Sequence, residues 1–184
     1  MSEKSLHGMT KGTPFEKLVG MLAQAEANGT MMYYALARLA KEQGMDDVAS
    51  DFVEAANQEA VHAGFYATLT GKYPQDFWGL VRGLMAAETS GEGTIKDLAD
   101  KFRVAGLSEA ADEMEIFAKQ EGHHGEILKK ILEKHHPELL DNTGKKIYVC
   151  GCCGYEYIGE LDKEPDDYVC PVCGQPKKVF KLKE

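Results

Sequence analysis

Apolar residues recur at alternating steps of three and four along the first 136 residues, the period of amphipathic helices. Glycine and proline cut this pattern into four segments. The first opens at Thr13-Pro14-Phe15-Glu16, where Thr13 can cap, Pro14 suits the first turn and Glu16 completes a capping box. It runs to about Gln43 and stops at Gly44. The second spans about Asp46 to Thr70, with Gly71 as its stop. The third runs from near Pro74 to just before Gly106, and the fourth from about Ser108 to His136, before Pro137. The pattern predicts an all-α four-helix bundle over residues 1–137.

Each apolar stripe is interrupted near its middle by a residue that does not belong in a core. The first reads Phe15, Leu18, Leu22, Glu26, Gly29, Tyr33, Leu36, Ala40, and the second Val48, Phe52, Ala55, Glu59, His62, Tyr66, Leu69. The third carries Glu88 between Leu84 and Gly91, and the fourth carries Glu121 and His124 between Phe117 and Leu128. The two halves repeat: a shift of 62 maps Glu26 to Glu88, Gly29 to Gly91, Glu59 to Glu121 and His62 to His124. In each half the first glutamate lies 18 residues before the hairpin glycine and the second 15 after it, at nearly equal heights.

Four carboxylates and two imidazoles therefore converge on one level of one core, with no lysine or arginine on the stripes to balance them. Buried carboxylates without partners cost several kcal/mol each. Two divalent cations cancel that charge, and glutamates with two Glu-x-x-His pairs form the ligand set of di-iron and di-manganese bundles. Carboxylate and imidazole together suit redox-active iron or manganese. Tyr33, seven residues after Glu26, shares its face and can donate either to a bound oxygen species or to a ligand carboxylate. His123 lies off the stripe, as a flanking group.

The net charge of −9 argues against nucleic acid or an anionic membrane as partner. No apolar run reaches the ~18 residues of a membrane span, and Met1-Ser2-Glu3-Lys4-Ser5 lacks the apolar core of a signal peptide. A soluble cytoplasmic protein is expected. All five cysteines fall between Cys150 and Cys173, and an odd count in a reducing compartment points to metal before disulfides. Cys150-Gly-Cys-Cys153-Gly and Cys170-Pro-Val-Cys173-Gly are two metal knuckles, predicting a four-thiolate site with Cys152 as the spare thiol. Thiolates hold zinc or iron alike. The composition shift sets a linker at 138–146 and a small domain with short strands at 147–184.

Glu26, Glu59-Ala-Val-His62, Glu88, Glu121-Gly-His-His124 and the two Cys-x-x-Cys turns together resemble rubrerythrin, from about Pro14 to Phe180. The resemblance implies a ferritin-like bundle with two non-haem irons, a rubredoxin-like Fe(Cys)4 domain, and a cytoplasmic peroxidase. Such an enzyme reduces hydrogen peroxide with electrons from an external reductase or rubredoxin. Tyr33 matches a tyrosine that the family places near its di-iron centre. Two departures stand out: Gly91 occupies the place of a further family glutamate, and Lys96 that of a second tyrosine. Glu92, four residues after Glu88, is the nearest carboxylate to fill the gap. The alternative function is a ferroxidase or iron-handling protein with a zinc- or iron-bound knuckle domain. Glu59 and Glu88 are 29 residues apart, too few for the long crossover of a ferritin-like chain. Either the bundle is simply up-down-up-down, or a homodimer exchanges helical hairpins, which is the favoured reading.

Overall fold

A computed structural model describes residues 5–183, so the reading of the first residues as lacking a leader falls largely outside the described residues. Four helices form: α1 (Glu16–Glu42), α2 (Asp46–Thr70), α3 (Phe77–Val104) and α4 (Ser108–His135). Three short strands follow, β1 (Ile147–Cys150), β2 (Glu156–Ile158) and β3 (Phe180–Leu182), in one antiparallel sheet ordered β2-β1-β3. This is the complement of a ferritin-like helical bundle followed by a rubredoxin-like domain, the fold class expected. The chain divides into two compact units, Met1–Gln75 and Asp76–Glu184.

The expected capping box at α1 is replaced by a wider one. Glu16 Oε2 accepts from the Gly12 amide at 2.7 Å, and Thr13 Oγ1 accepts from Phe15 N at 3.2 Å. The helix starts at Glu16, and its N-cap residue, Phe15, has no side-chain cap. α3 begins at Phe77, later than Pro74, because the Asp76 side chain accepts from Gly79 N and satisfies a free amide of the first turn. Gly44, Gly71 and Gly106 take left-handed φ values of 75°, 60° and 82° where the hairpins and α2 end, as the sequence pattern requires.

In the first unit α1 and α2 pack along a seam of alanines, with Ala37, Ala40, Ala49, Ala56 and Ala67 buried. In the second unit α3 and α4 use Ala99, Ala111, Ala118, Gly125 and Leu132, while Ala87 is buried against the cysteine domain. The repeat is visible here, since Ala37, Ala49 and Ala56 map onto Ala99, Ala111 and Ala118. Small seam residues let paired helices approach closely. The large apolar residues are not in these seams. Met31, Val61 and Phe65 of the first unit are 68, 71 and 48% exposed, and Leu98, Phe117 and Ile127 of the second are 43, 48 and 42% exposed. Met31, Val61, Phe65 and Ile127 lie beside the stripes that the periodicity marks, whose own Leu22, Tyr33, Leu36, Phe52, Tyr66 and Leu69 are half-buried, so each hairpin keeps an apolar face only partly covered.

The second unit also carries the small domain. His136 alone separates α4 from a short 3-10 turn, Pro137–Leu140, and residues 141–146 lead from it into β1. Trp78 near the start of α3 lies 4.3 Å from the His136 ring and 5.8 Å from His135, tying the start of α3 to the end of α4. An aromatic cluster of Tyr155, Tyr168 and Phe180, with Tyr148 and Tyr157, fills the core of the sheet domain.

Candidate metal centre

Each hairpin gathers one glutamate from its first helix with the Glu-x-x-His pair of its second. Spacing of three residues puts carboxylate and imidazole on one helix face. In the first unit His62 Nδ1 lies 3.4 Å from Glu59 Oε2 and 3.6 Å from Glu26 Oε2. In the second His124 Nδ1 lies 3.3 Å from Glu88 Oε2, and Glu121 completes the group. In each triad one ligand atom per residue falls within 4.8 Å of the others. The imidazoles are more than half exposed, so both triads open onto the uncovered faces of their hairpins.

The electrostatics of the two triads match. The Glu26 carboxyl is pushed above its ordinary range, first by a hydrogen bond shared with Glu59. Glu121 is pushed up in the same way by Glu88. Two carboxylates that close hold a proton between them unless a cation takes its place. Glu59 Oε2 is also buried without a hydrogen-bond partner. An orphaned buried carboxylate oxygen beside a second carboxylate and an imidazole fits a divalent metal, as a half-site on each hairpin.

Glycines leave room for these carboxylates. A Cβ at Gly29 would meet Glu59 Cδ at 3.6 Å, and one at Gly91 would meet Glu121 Oε2 at 3.3 Å. Gly91, which supplies no ligand, gives its space to Glu121. Glu92 is exposed and its carboxylate lies against Gly122 of α4. Tyr33 is half-buried and stacks on Phe52 with centroids 6.1 Å apart. His123 and Lys96 are exposed.

The four knuckle cysteines come together as a second centre. Cys150 and Cys173 Sγ are 3.7 Å apart, and Cys153 and Cys170 Sγ 3.6 Å. A metal bonded to four sulfurs at about 2.3 Å would set them about 3.8 Å apart. Both knuckles repeat one geometry: Gly154 N donates to Cys150 O at 2.9 Å and Gly174 N to Cys170 O at 2.8 Å, with φ of 75° and 70°. Burial pushes the Cys170 thiol up to about 11. Burial also acts against ionisation of Cys173, but the Gln175 amide and the neighbouring sulfurs bring it down to about 7. Four such thiolates need a cation to remain ionised together. Cys152 is exposed and stands outside the four-sulfur group.

Sequence reasoning missed what seats this domain. Arg82 of α3, 2% exposed, pairs with Glu156 of β2, 8% exposed. Arg82 also donates to Asn142 Oδ1 at 2.7 Å, and Lys183 Nζ donates to Glu156 Oε1 at 2.6 Å. An arginine in an apolar helix pattern reads as solvated, and only its buried partner, 74 residues away, shows otherwise.

The sequence model of the Rubrerythrin family matches residues 18–77. The chain is 29% identical over 128 residues to an uncharacterized protein of Methanocaldococcus jannaschii, covering 70% of this chain and 91% of that one. It is 27% identical to a putative rubrerythrin of the same organism, over 82% of this chain and 83% of its relative. Identity to the rubrerythrin of Porphyromonas gingivalis is 26%, over 92% and 90%. Among solved structures, a mixed-valence nigerythrin aligns over 99% of this chain and 94% of that chain, at 20% identity and a TM-score of 0.31. The chain is thus similar to rubrerythrins, over the first triad in the family match and over most of its length in these relatives.

Proposed function

We propose that this protein is a non-haem di-iron peroxidase of oxidative-stress defence. It would reduce hydrogen peroxide to water with electrons delivered from an external reductase or rubredoxin through an Fe(Cys)4 centre. The observation that carries the reading is the pair of equivalent Glu, Glu, His triads, each with a carboxyl held up by its neighbour and each open on one face. Glu26, Glu59 and His62, with Glu88, Glu121 and His124, are the residues to hold two irons. Bound there, iron supplies the two electrons that hydrogen peroxide takes, with two protons, to give two waters. The ligand carboxylates hold protons within reach of that chemistry, and Tyr33 is a further donor on the Glu26 face. Cys150, Cys153, Cys170 and Cys173 hold the mononuclear iron, with Cys152 left free. We assign this activity to the cytoplasm.

The same reading requires that two triads meet, and the link between helices argues for a homodimer. In a ferritin-like bundle the second and third helices run in the same direction. α2 is 25 residues long, about 37 Å, while the six residues between Thr70 and Phe77 span at most about 20 Å. A return along the bundle is out of reach. The second hairpin of each bundle is therefore assigned to another copy of the chain.

The test is stopped-flow mixing of the anaerobically reduced, iron-loaded protein with hydrogen peroxide. Rapid oxidation of both centres, with peroxide consumed by two electrons each, is the expected result. A bundle centre that stays reduced while peroxide persists would overturn the reading, as would zinc in the knuckles of the protein as purified.

A further inference from the structure

α3 presents a run of small residues on the side facing its own chain's four-cysteine domain. A Cβ at Gly83 would fall 2.2 Å from the Tyr155 ring, and one at Gly154 would fall 2.5 Å from Ser90 Cβ. These are contacts that only bare backbone permits. The Tyr155 ring and the knuckle glycine thus lie directly on the helix, and β2 packs along it. Beside this seat the Arg82–Glu156 pair is buried and braced by Asn142 and Lys183. Between Gly83 and Ser90 on the same helix stands Glu88. A cleft of about 190 Å³ there is lined by Glu88, Gly91 and Glu121 on one side and by Cys152, Cys153 and Val172 on the other. One wall carries the two carboxylates of a triad and the other the knuckle residues.

We propose that α3 is a docking platform for its own chain's four-cysteine domain, and that Arg82 and Glu156 are positioning residues. Together they hold the first knuckle against the Glu88 and Glu121 carboxylates, so that electrons cross within one chain. The inference rests on the peroxidase reading for its electron flow, although the docking itself does not depend on it. With iron held by the four cysteines and by the bundle glutamates and histidines, each crossing would oxidise the four-thiolate centre by one electron and reduce the bundle centre by one. Two crossings match the two electrons that hydrogen peroxide takes with two protons, and the external reductase restores the four-thiolate centre. Gly91 serves this arrangement, since a larger side chain there would intrude on the cleft between the two centres. A face built from glycine, alanine and serine, locked by a buried ion pair, fixes distance and orientation together.

The experiment uses the full-length iron-loaded protein and the variants R82E, E156R, R82E/E156R and Gly83→Ala. Amide hydrogen exchange on α3 and β2 reports docking. Stopped-flow absorbance of the four-thiolate centre, after peroxide oxidises the bundle, reports the crossing. Expected are loss of exchange protection across Gly83 and Tyr155 in both single charge variants. The four-thiolate centre should then oxidise at least about tenfold more slowly, while bundle oxidation keeps its rate. The double variant should recover a large part of both. Gly83→Ala leaves every charge in place and should give the same separation by sterics alone. Unchanged four-thiolate oxidation in a variant whose exchange shows an undocked domain would overturn the proposal, as would unchanged protection in all variants. If wild-type bundle iron does not react with peroxide, the peroxidase reading fails, and the exchange results still decide the docking.

Discussion

Gly29 and Gly91 occupy equivalent places in the repeat, three residues after the first glutamate of each half, but their surroundings differ. An added methyl at Gly29 makes ordinary contact with Glu59 Cδ at 3.6 Å, whereas at Gly91 it presses on Glu121 Oε2 at 3.3 Å. Alanine for glycine within a helix stabilises by up to about 1 kcal/mol. Gly29→Ala should therefore raise the unfolding midpoint in denaturant with metal content unchanged. Gly91→Ala should gain similar helix stability and yet bind metal about tenfold more weakly, because the methyl displaces a ligand oxygen. Competition against a chelator, read alongside helical content, separates these outcomes. Equal metal affinity in both variants would show that Gly91 reserves no space for Glu121. The glutamates and histidines were legible in the sequence because each breaks an apolar stripe. The inequality of the two glycines was not, since it depends on a carboxylate from the next helix.

At the scale of elements, the seat of the small domain on α3 depends on an ionised Glu156. Burial acts to push that carboxyl up, but the Lys183 ammonium and the Arg82 guanidinium outweigh it and hold it below the ordinary carboxylate range. A carboxyl whose value is lowered by folding stabilises fully above its ordinary value of 4.5 and loses that contribution as pH falls through the lowered one. Docking should accordingly weaken as pH falls below the ordinary value of 4.5 and through the lowered one. Measured by proteolysis within residues 141–146 across a pH series, wild type should become cleavable in acid. Glu156→Gln, with no charge to lose, should be more cleavable at neutral pH and change less on acidification. Parallel acid profiles for the two proteins would remove Glu156 from the mechanism. Helix number and most helix ends were legible because glycine and proline punctuate them. The start of α3 shifted to Phe77, since capping was decided by which oxygen reached a free amide of the first turn, that of Asp76 reaching Gly79.

For the whole molecule, the open faces matter most. Residues such as Val61 and Phe65 on one hairpin, and Phe117 and Ile127 on the other, carry apolar surface that a stable fold in water must cover. Covering by hairpins of a second copy predicts that light scattering gives twice the chain mass. It also predicts an unfolding midpoint that rises with protein concentration, since folding and association are then one equilibrium. Val61→Glu, in the middle of the α2 face and 71% exposed in the single chain, should shift the protein toward monomer and lower its metal content together. A monomeric mass with two metals still bound per chain would exclude exchange. No helix among the described residues is long and apolar enough to cross a membrane.

The sequence by itself determined which side chains can hold metal, because ligand chemistry depends on residue type and on spacing along one helix or one tight turn. It also determined the duplication, since a repeat is a property of order along the chain. Only the tertiary structure decided that alanines, not the large apolar residues, line the hairpin seams. Helical period marks an apolar face but does not say which neighbour will cover it. The structure alone also revealed the buried Arg82–Glu156 pair and the Gly83 seat for Tyr155, which join residues more than 70 positions apart. Long-range pairs of that kind leave no periodic trace, and it is such a pair that places the four-cysteine knuckle beside Glu88 and Glu121.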